Sequence, residues 1–303
     1  MPVKLRNKNQ LLYTLLLALK RLIHSNGFLL MPYIRIKESV ITRKMGIDYN
    51  GVDALFEKIF IETVAHCNNN CDFCPLPGKI KAGAPLNFMS EELFMKIILE
   101  LKSIFYKGSV AFHCNNEPLL DGRLASWIKI ARVNLKHNFF YIYTNGILLS
   151  VTAAQELFDA GLNRIIFNCY ARGQEVINTV KKLTREDVLL RGELVIQYRR
   201  KDEYLGNRAG QSPNSRFSLK RPLEIMCLRP QREIVVCYDG TIPLCCADAL
   251  LKSVMGNARE KSLREIWFAD SFRRIRRALA ERDRSCTEIC KKCDSLQLPR
   301  YLG

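Results

Sequence analysis

The chain has 303 residues, 12 cysteines and a formal net charge of +17, with 48% hydrophobic and 25% charged residues. This composition is globular, and the length suits one large domain or two smaller ones with a sizeable buried core. A disulfide-rich secreted protein is disfavoured. Lys4, Arg6 and Lys8 precede the apolar run "LLYTLLLAL", but no small-residue cleavage site follows, and Lys20 and Arg21 end the run well short of the roughly 20 apolar residues of a membrane span. The expectation is a cytoplasmic protein whose cysteines bind metal. Nucleic acid, a membrane surface or an acidic substrate could each account for the basic balance. The positive charges gather in the N-terminal segment and in "FRRIRRALAERDR" without interleaved aromatics. A solvated basic surface is therefore favoured, and no nucleic-acid partner is expected.

In chain order, residues 1–50 form an N-terminal extension. Its "LLYTLLLALKRLIHSNGFLL" could lie on a membrane surface, giving weak contact through residues 1–24. Its leucines run around all sides instead of forming one stripe, which favours a helix packed against the rest. "LFEKIFIETV" (55–64) reads as a strand entering a cysteine loop. A helix over 90–105 follows, capped by Ser90, with Glu91 and Glu92 at its positive end. Then come a strand (109–114), a helix (123–137), a strand (139–143), a helix (152–161) with Thr152 and Gln155 at capping-box spacing, a strand (163–169), a helical stretch and a strand (193–198). Repeated strand–helix alternation predicts parallel βα units closing toward a barrel. The polar stretch 200–218 reads as a boundary loop. Beyond it, "REIVVCY" and "TIPLCC" flank Asp239-Gly240, a hairpin signal. A helix opens at Ser262 with Glu265 completing a capping box, and the chain ends near "CTEICKKC". The expected organisation is 1–50, a barrel over 51–218 and a small cysteine-rich domain over 219–303.

Cys67, Cys71 and Cys74 are spaced C-x3-C-x2-C, with Phe73 before the last. Thiolates select zinc or iron–sulfur clusters. Cys71/Cys74 and Cys290/Cys293 would make a closed four-cysteine zinc site, and the protein would then be a zinc-stabilised binding or scaffold protein. That leaves Cys67 unexplained. Three thiolates on a 4Fe–4S cluster leave one iron open, and an open position is where chemistry happens.

C-x3-C-x2-C with an aromatic before the last cysteine, just after the first strand of a βα series, resembles the signature of the radical S-adenosylmethionine (SAM) superfamily. "NNEPLL" (115–120) follows the second strand where that family usually has Gly-Gly-Glu-Pro, and "YTNG" (143–146) follows the third. The resemblance implies an α/β fold, a partial (β/α)6 barrel. It implies that SAM chelates the open iron and is reductively cleaved to a deoxyadenosyl radical, which abstracts a hydrogen atom from substrate. SAM would be held by Phe73, Asn115, Asn116, Glu117, Pro118, Thr144 and Asn145, with Glu117 an acceptor for its ammonium. Asn115 and Asn116 depart from the family's glycines.

The order Cys227, "GTIPLC" ending at Cys245, "MGN", "SLREIW" and "CTEICKKC" resembles the C-terminal SPASM extension of such enzymes. The full form's C-x2-C-x5-C-x3-C string is absent, so the shorter twitch form is expected, a β-hairpin and helix domain. It implies one auxiliary 4Fe–4S cluster on Cys227, Cys245, Cys290 and Cys293, with Cys286 the rival ligand. Cys114, Cys169, Cys237 and Cys246 remain, and a lone cysteine is usually a small buried hydrophobe. If 241–246 is a strand, Cys246 faces away from the cluster side, toward a substrate cavity. Arg208 is either a surface arginine or a contact to substrate or SAM carboxylate.

The reading reached is a radical SAM oxidoreductase or epimerase with two 4Fe–4S clusters and SAM. It acts on a small carbohydrate- or cyclitol-like molecule and is served by a reducing partner such as flavodoxin or ferredoxin. A peptide-modifying enzyme is the alternative.

Overall fold

The structure is a computed structural model that describes residues 54–76, 86–169, 174–183, 185, 191–198, 206–213, 219 and 221–295, with short pieces at Lys4–Leu5 and Pro32. Apart from β1 (Lys4–Leu5) and Pro32, the N-terminal extension, with the helix expected there, lies outside the described residues. Strands β2 (Lys58–Ile61), β3 (Ser109–Ala111), β4 (Phe140–Thr144), β5 (Arg164–Cys169), β6 (Glu193–Tyr198) and β7 (Glu233–Val236) join β1 in one sheet, in the order β1-β6-β5-β4-β3-β2-β7. Every pairing in this sheet is parallel. Helices α1 (Glu91–Ser103), α2 (Leu124–Asn134), α3 (Val151–Asp159) and α4 (Gln174–Leu183) lie between successive strands in the chain. This is the partial barrel that the alternation predicts.

Local chemistry sets the helix starts. Ser90 caps α1 by accepting from the Leu93 N–H, and Glu91 and Glu92 occupy the first turn. At α3 the expected capping residue is displaced by two positions. Ser150, not Thr152, takes the extended cap conformation and accepts from Ala153 N at 3.0 Å, which leaves Thr152 inside the first turn.

Strand alternation divides the apolar residues into two interiors. One face of the sheet, including Ile59, Phe112, Ile142 and Phe167, packs on Phe94, Ile97, Trp127 and Leu157 of the helices. The other face, Phe60, Ala111, Tyr141, Ile166, Val195, Val235 and Cys237, forms the inner core, with Cys114, Tyr143, Cys246 and Leu251 against it.

The expected hairpin of residues 232–246 is corrected. β7 does not pair with the strand after it; it lies parallel to β2, from Lys58↔Glu233 to Ile61↔Val236. The strand after it, β8 (Thr241–Pro243), pairs antiparallel with β9 (Val254–Asn257) in a separate sheet. The Asp239–Gly240 turn does form, closed by Gly240 N to Cys237 O at 2.9 Å and Cys237 N to Thr241 O at 2.9 Å. Gly240 is required there: its φ is +91°, and a Cβ would stand 2.5 Å from Asn257 Oδ1. The run Ile234-Val235-Val236 is buried on both faces, the mark of a strand inside a parallel sheet and not of a half-exposed hairpin. The remaining helices are α5 (Arg229–Arg232), α6 (Leu263–Trp267), α7 (Asp270–Ala280) and α8 (Glu288–Lys291). The capping box of Ser262 and Glu265 at α6 is present as expected. Among the described residues no helix is long and apolar enough to cross a membrane.

Candidate active site

Cys67, Cys71 and Cys74 follow β2 at the C-terminal edge of the parallel sheet, where ligand sites of such folds gather. All three are half-buried free thiols. Cys74 N donates to Cys71 O at 3.0 Å, tightening the loop. Burial, then the neighbouring Cys67 and Cys74, pushes the Cys71 thiol up to about 12. Burial likewise raises Cys67. Thiols that resist ionisation for these reasons become thiolates when a metal supplies the compensating charge. Among the described residues no three Cys, His, Asp or Glu side chains already stand in coordinating geometry. The donor set itself, three soft sulfurs on one short loop, fits an iron–sulfur cluster.

The loop after β3 and the loop after β4 are tied by one carboxylate. Glu117 is 1% exposed. Its Oε1 accepts from Thr144 Oγ1 at 2.7 Å and Leu119 N at 3.2 Å, and its Oε2 accepts from Asn145 N at 2.8 Å. Burial raises its pKa, and these donors pull it down. A carboxylate has about four acceptor positions, so one remains for a ligand ammonium. Pro118 opens the short 3-10 turn Pro118–Leu120. Asn145 reaches back to the cysteine loop, donating to Asn68 Oδ1 at 2.8 Å and to Cys67 Sγ at 3.6 Å. Gly146 lets the chain turn away with φ +79°; a Cβ there would fall 1.9 Å from the Phe167 ring. Asn116 Oδ1 accepts from Cys114 N, but its buried Nδ2 has no partner. An orphaned donor beside these loops fits a polar ligand such as SAM.

Residues 206–213 bind several regions together. Asn207 N donates to Asp294, its Nδ2 donates to Lys292 O at 2.7 Å, Gln211 Nε2 donates to Asp248 Oδ1 at 2.6 Å, and Ser212 Oγ donates to Phe73 O at 2.5 Å. Arg208, Ala209 and Gly210 all have positive φ. This left-handed run aims the Arg208 guanidinium at Asn115 Oδ1 and leaves its buried Nε without a partner. Asn115 N in turn donates to Glu62 Oε1 at 2.5 Å. Glu62 is buried, and burial raises its pKa, offset by Asn115, Cys237 and Arg208. Arg208 is thus half-buried, with its guanidinium turned toward the loop after β3.

Cys245 and Cys246 diverge, but not through strand alternation: β8 ends at Pro243, and the two cysteines lie in the turn that follows it. Cys245 packs with Cys227, Cys290 and Cys293 in the helix-side core, and Cys246 packs against the inner core. Arg229 Nη1 donates to Cys246 Sγ at 2.7 Å. Burial pushes Cys246 up to about 11 even with that cation beside it. Cys227, Cys245, Cys290 and Cys293 are all buried, and their thiols act electrostatically on one another. This donor set fits a second cluster with four protein ligands. Cys286 is half-buried and its thiol hydrogen-bonds that of Cys290, so it stands immediately beside the set.

Sequence reasoning missed Glu62, Arg229 and the tie residues Asn207, Gln211 and Ser212. A carboxylate in the apolar run "IFIETV" was the one available signal. The others belong to sequence stretches that read as ordinary loop or basic surface.

The profile of the radical SAM superfamily matches residues 61–204, and that of the SPASM iron–sulfur cluster-binding domain matches 227–294. The chain is 28% identical over 248 residues to the S-adenosyl-L-methionine-dependent 2-deoxy-scyllo-inosamine dehydrogenase of Niallia circulans, covering 82% of this chain and 96% of that protein. Among solved structures it is similar to BtrN in complex with AdoMet and 2-DOIA, with TM-score 0.68 and 26% identity over 80% of this chain and 94% of that one. The open conformation of BtrN matches with TM-score 0.62 and 25% identity over the same shares. The two profiles divide the chain where the two cysteine sets divide it. With C-x3-C-x2-C at the end of the first barrel strand and a second thiol set beyond the barrel, the chain carries a radical SAM domain over 61–204 and a SPASM-type iron–sulfur cluster-binding domain over 227–294.

Proposed function

We propose that the protein oxidises a secondary alcohol of a cyclitol or aminocyclitol to the ketone. Similarity along nearly the whole length of a cyclitol dehydrogenase carries this reading. The cofactors, when bound, supply the one-electron chemistry that removes a hydrogen atom from the carbinol carbon. The protein's own part is positional. Cys67, Cys71 and Cys74 hold the first cluster, while Glu117, Asn116, Thr144 and Asn145 hold SAM beside it. Arg208 offers its unpartnered Nε to a substrate oxygen at the mouth of the inner core. After loss of the hydrogen atom the substrate must still lose one electron and one proton. Cys227, Cys245, Cys290 and Cys293 would hold the acceptor for that electron, and the hydroxyl proton would pass to water.

Epimerisation is the second reading, favoured by one observation: a protonated thiol, Cys246, lies against the inner core and could return a hydrogen atom. In either case a flavodoxin- or ferredoxin-type carrier would supply the reducing electron, and the net charge of +17 would steer such an acidic carrier to the protein. Raising the salt concentration should slow turnover driven by such a carrier more than turnover driven by dithionite, and equal slowing would remove the steering argument.

The function is tested with anaerobically reconstituted protein, SAM, dithionite and 2-deoxy-scyllo-inosamine. Deoxyadenosine and a ketone should form in equal amounts. Deoxyadenosine without ketone across a panel of aminocyclitols, or recovery of an inverted alcohol, would overturn the dehydrogenase reading.

A further inference from the structure

Arg284 sits in the short 3-10 turn Arg284–Cys286 and is 1% exposed. Its guanidinium donates to Ile225 O at 3.1 Å, Met226 O at 3.2 Å, Cys293 O at 3.2 Å and Ser295 O at 2.8 Å. These carbonyls belong to the two segments that carry Cys227 and Cys293. The fork geometry thus binds one end of the auxiliary thiol set to the other. Carbonyls satisfy the N–H groups, but they leave the positive charge uncompensated. Among the described residues no carboxylate pairs with Arg284. A fully buried cation without a counter-ion is costly enough that it demands an anion close by. Its carbonyl partners are Met226, next to Cys227 in the chain, and Cys293 itself, so the anion at hand is the auxiliary thiolate set.

We propose that Arg284 is the counter-charge of the auxiliary cluster and holds its reduction potential up. This inference rests on the assignment of that cluster to Cys227, Cys245, Cys290 and Cys293. Four thiolates on a 4Fe–4S core leave the site net negative in both of its usual oxidation states, and more negative when reduced. A fixed positive charge in a low-dielectric interior therefore favours the reduced state, because cluster potentials respond to local charge and hydrogen bonding. A higher potential makes the cluster a better acceptor for the electron that a substrate radical must shed. Arg284 touches neither substrate nor SAM, so its role is positioning and electrostatic.

The test is an EPR-monitored redox titration of the auxiliary cluster in the full chain. A Cys71→Ala background removes the first cluster's signal. Arg284→Met should shift the midpoint to more negative potential, and Arg284→Lys, which keeps the charge but loses the fork, should stay near the parent. If Arg284 were only a staple for the loops, both substitutions would impair cluster loading alike, and any loaded fraction would keep the parent potential. That result, or an equal shift in both variants, overturns the proposal. Should Arg284→Met load too poorly to titrate, Arg284→Lys decides alone: a parent-like load and potential supports the counter-charge, and failed loading refutes it. Absence of any auxiliary signal in the Cys71→Ala parent would instead refute the cluster assignment.

Discussion

Cys245 and Cys246 are adjacent in the chain and belong to different interiors. Cys245 packs with the auxiliary thiols and Cys246 packs with the inner core of the barrel. If Cys246 is only a packing residue, dehydrogenation incorporates no solvent deuterium into the product carbon, and Cys246→Ala slows turnover by no more than a few-fold. If it returns a hydrogen atom, one deuterium appears at an inverted carbon, and the alanine variant makes deoxyadenosine without product. Mass spectrometry of product formed in deuterated buffer separates the two. We expect no deuterium.

Cys71→Ala should abolish SAM cleavage and leave about half of the parental iron, because the second cysteine set is separate in sequence and in fold. Unchanged iron, or deoxyadenosine at the parental rate, would contradict the assignment of the first cluster.

Cys290 is buried inside the auxiliary set, and Cys286 is half-buried at its margin. Cys290→Ala should give poorly soluble protein, since structural metal binding is coupled to folding. Cys286→Ala should remain soluble and keep its full iron content. The reverse pattern would make Cys286 the ligand.

Glu117→Gln tests the tie between the loops after β3 and β4. Both carboxylate oxygens accept hydrogen bonds from fixed donors, so an amide places an N–H against an N–H or O–H. Leaving such a buried group unsatisfied costs about 1–3 kcal/mol. Thermal denaturation should show a lower Tm, and SAM should bind more weakly. An unchanged Tm would show that the tie carries no stability.

Gly146→Ala should damage the same corner from the other side. A positive φ costs a non-glycine residue roughly 1–2 kcal/mol, and the new Cβ would overlap the Phe167 ring at 1.9 Å. The variant should lose both Tm and SAM affinity, and parental SAM affinity in a calorimetric titration would refute the role given to this turn.

Much of the barrel was legible because parallel βα units repeat one pattern. "SVAFHC" and "NRIIFNC" carry the apolar density of buried strands, and Ser90 and Ser262 announce their helices. The cysteine loop was legible because its spacing is itself the chemistry. The partner of Glu233–Val236 was not. An Asp-Gly turn looks the same whether the strands it joins pair with each other or part company, and only the vacant edge of β2 decides between them. Arg208 was ambiguous because its aim depends on three consecutive left-handed residues, which no periodicity encodes. Arg284 lay in a basic stretch that reads as solvated surface, and its burial follows from loops that meet only in three dimensions.

The parallel pairing of β2 with β7 has a consequence for how the chain is made. Arg232 bridges Glu57 across 175 positions of sequence, and the strand that follows Arg232 completes the sheet. Until that segment leaves the ribosome, β2 presents an unpaired edge, the kind of surface that recruits other chains. A fragment ending at residue 218 would retain every βα unit of the barrel and still lack one wall, so the auxiliary region is part of the barrel's construction and could not be removed without exposing its first strand.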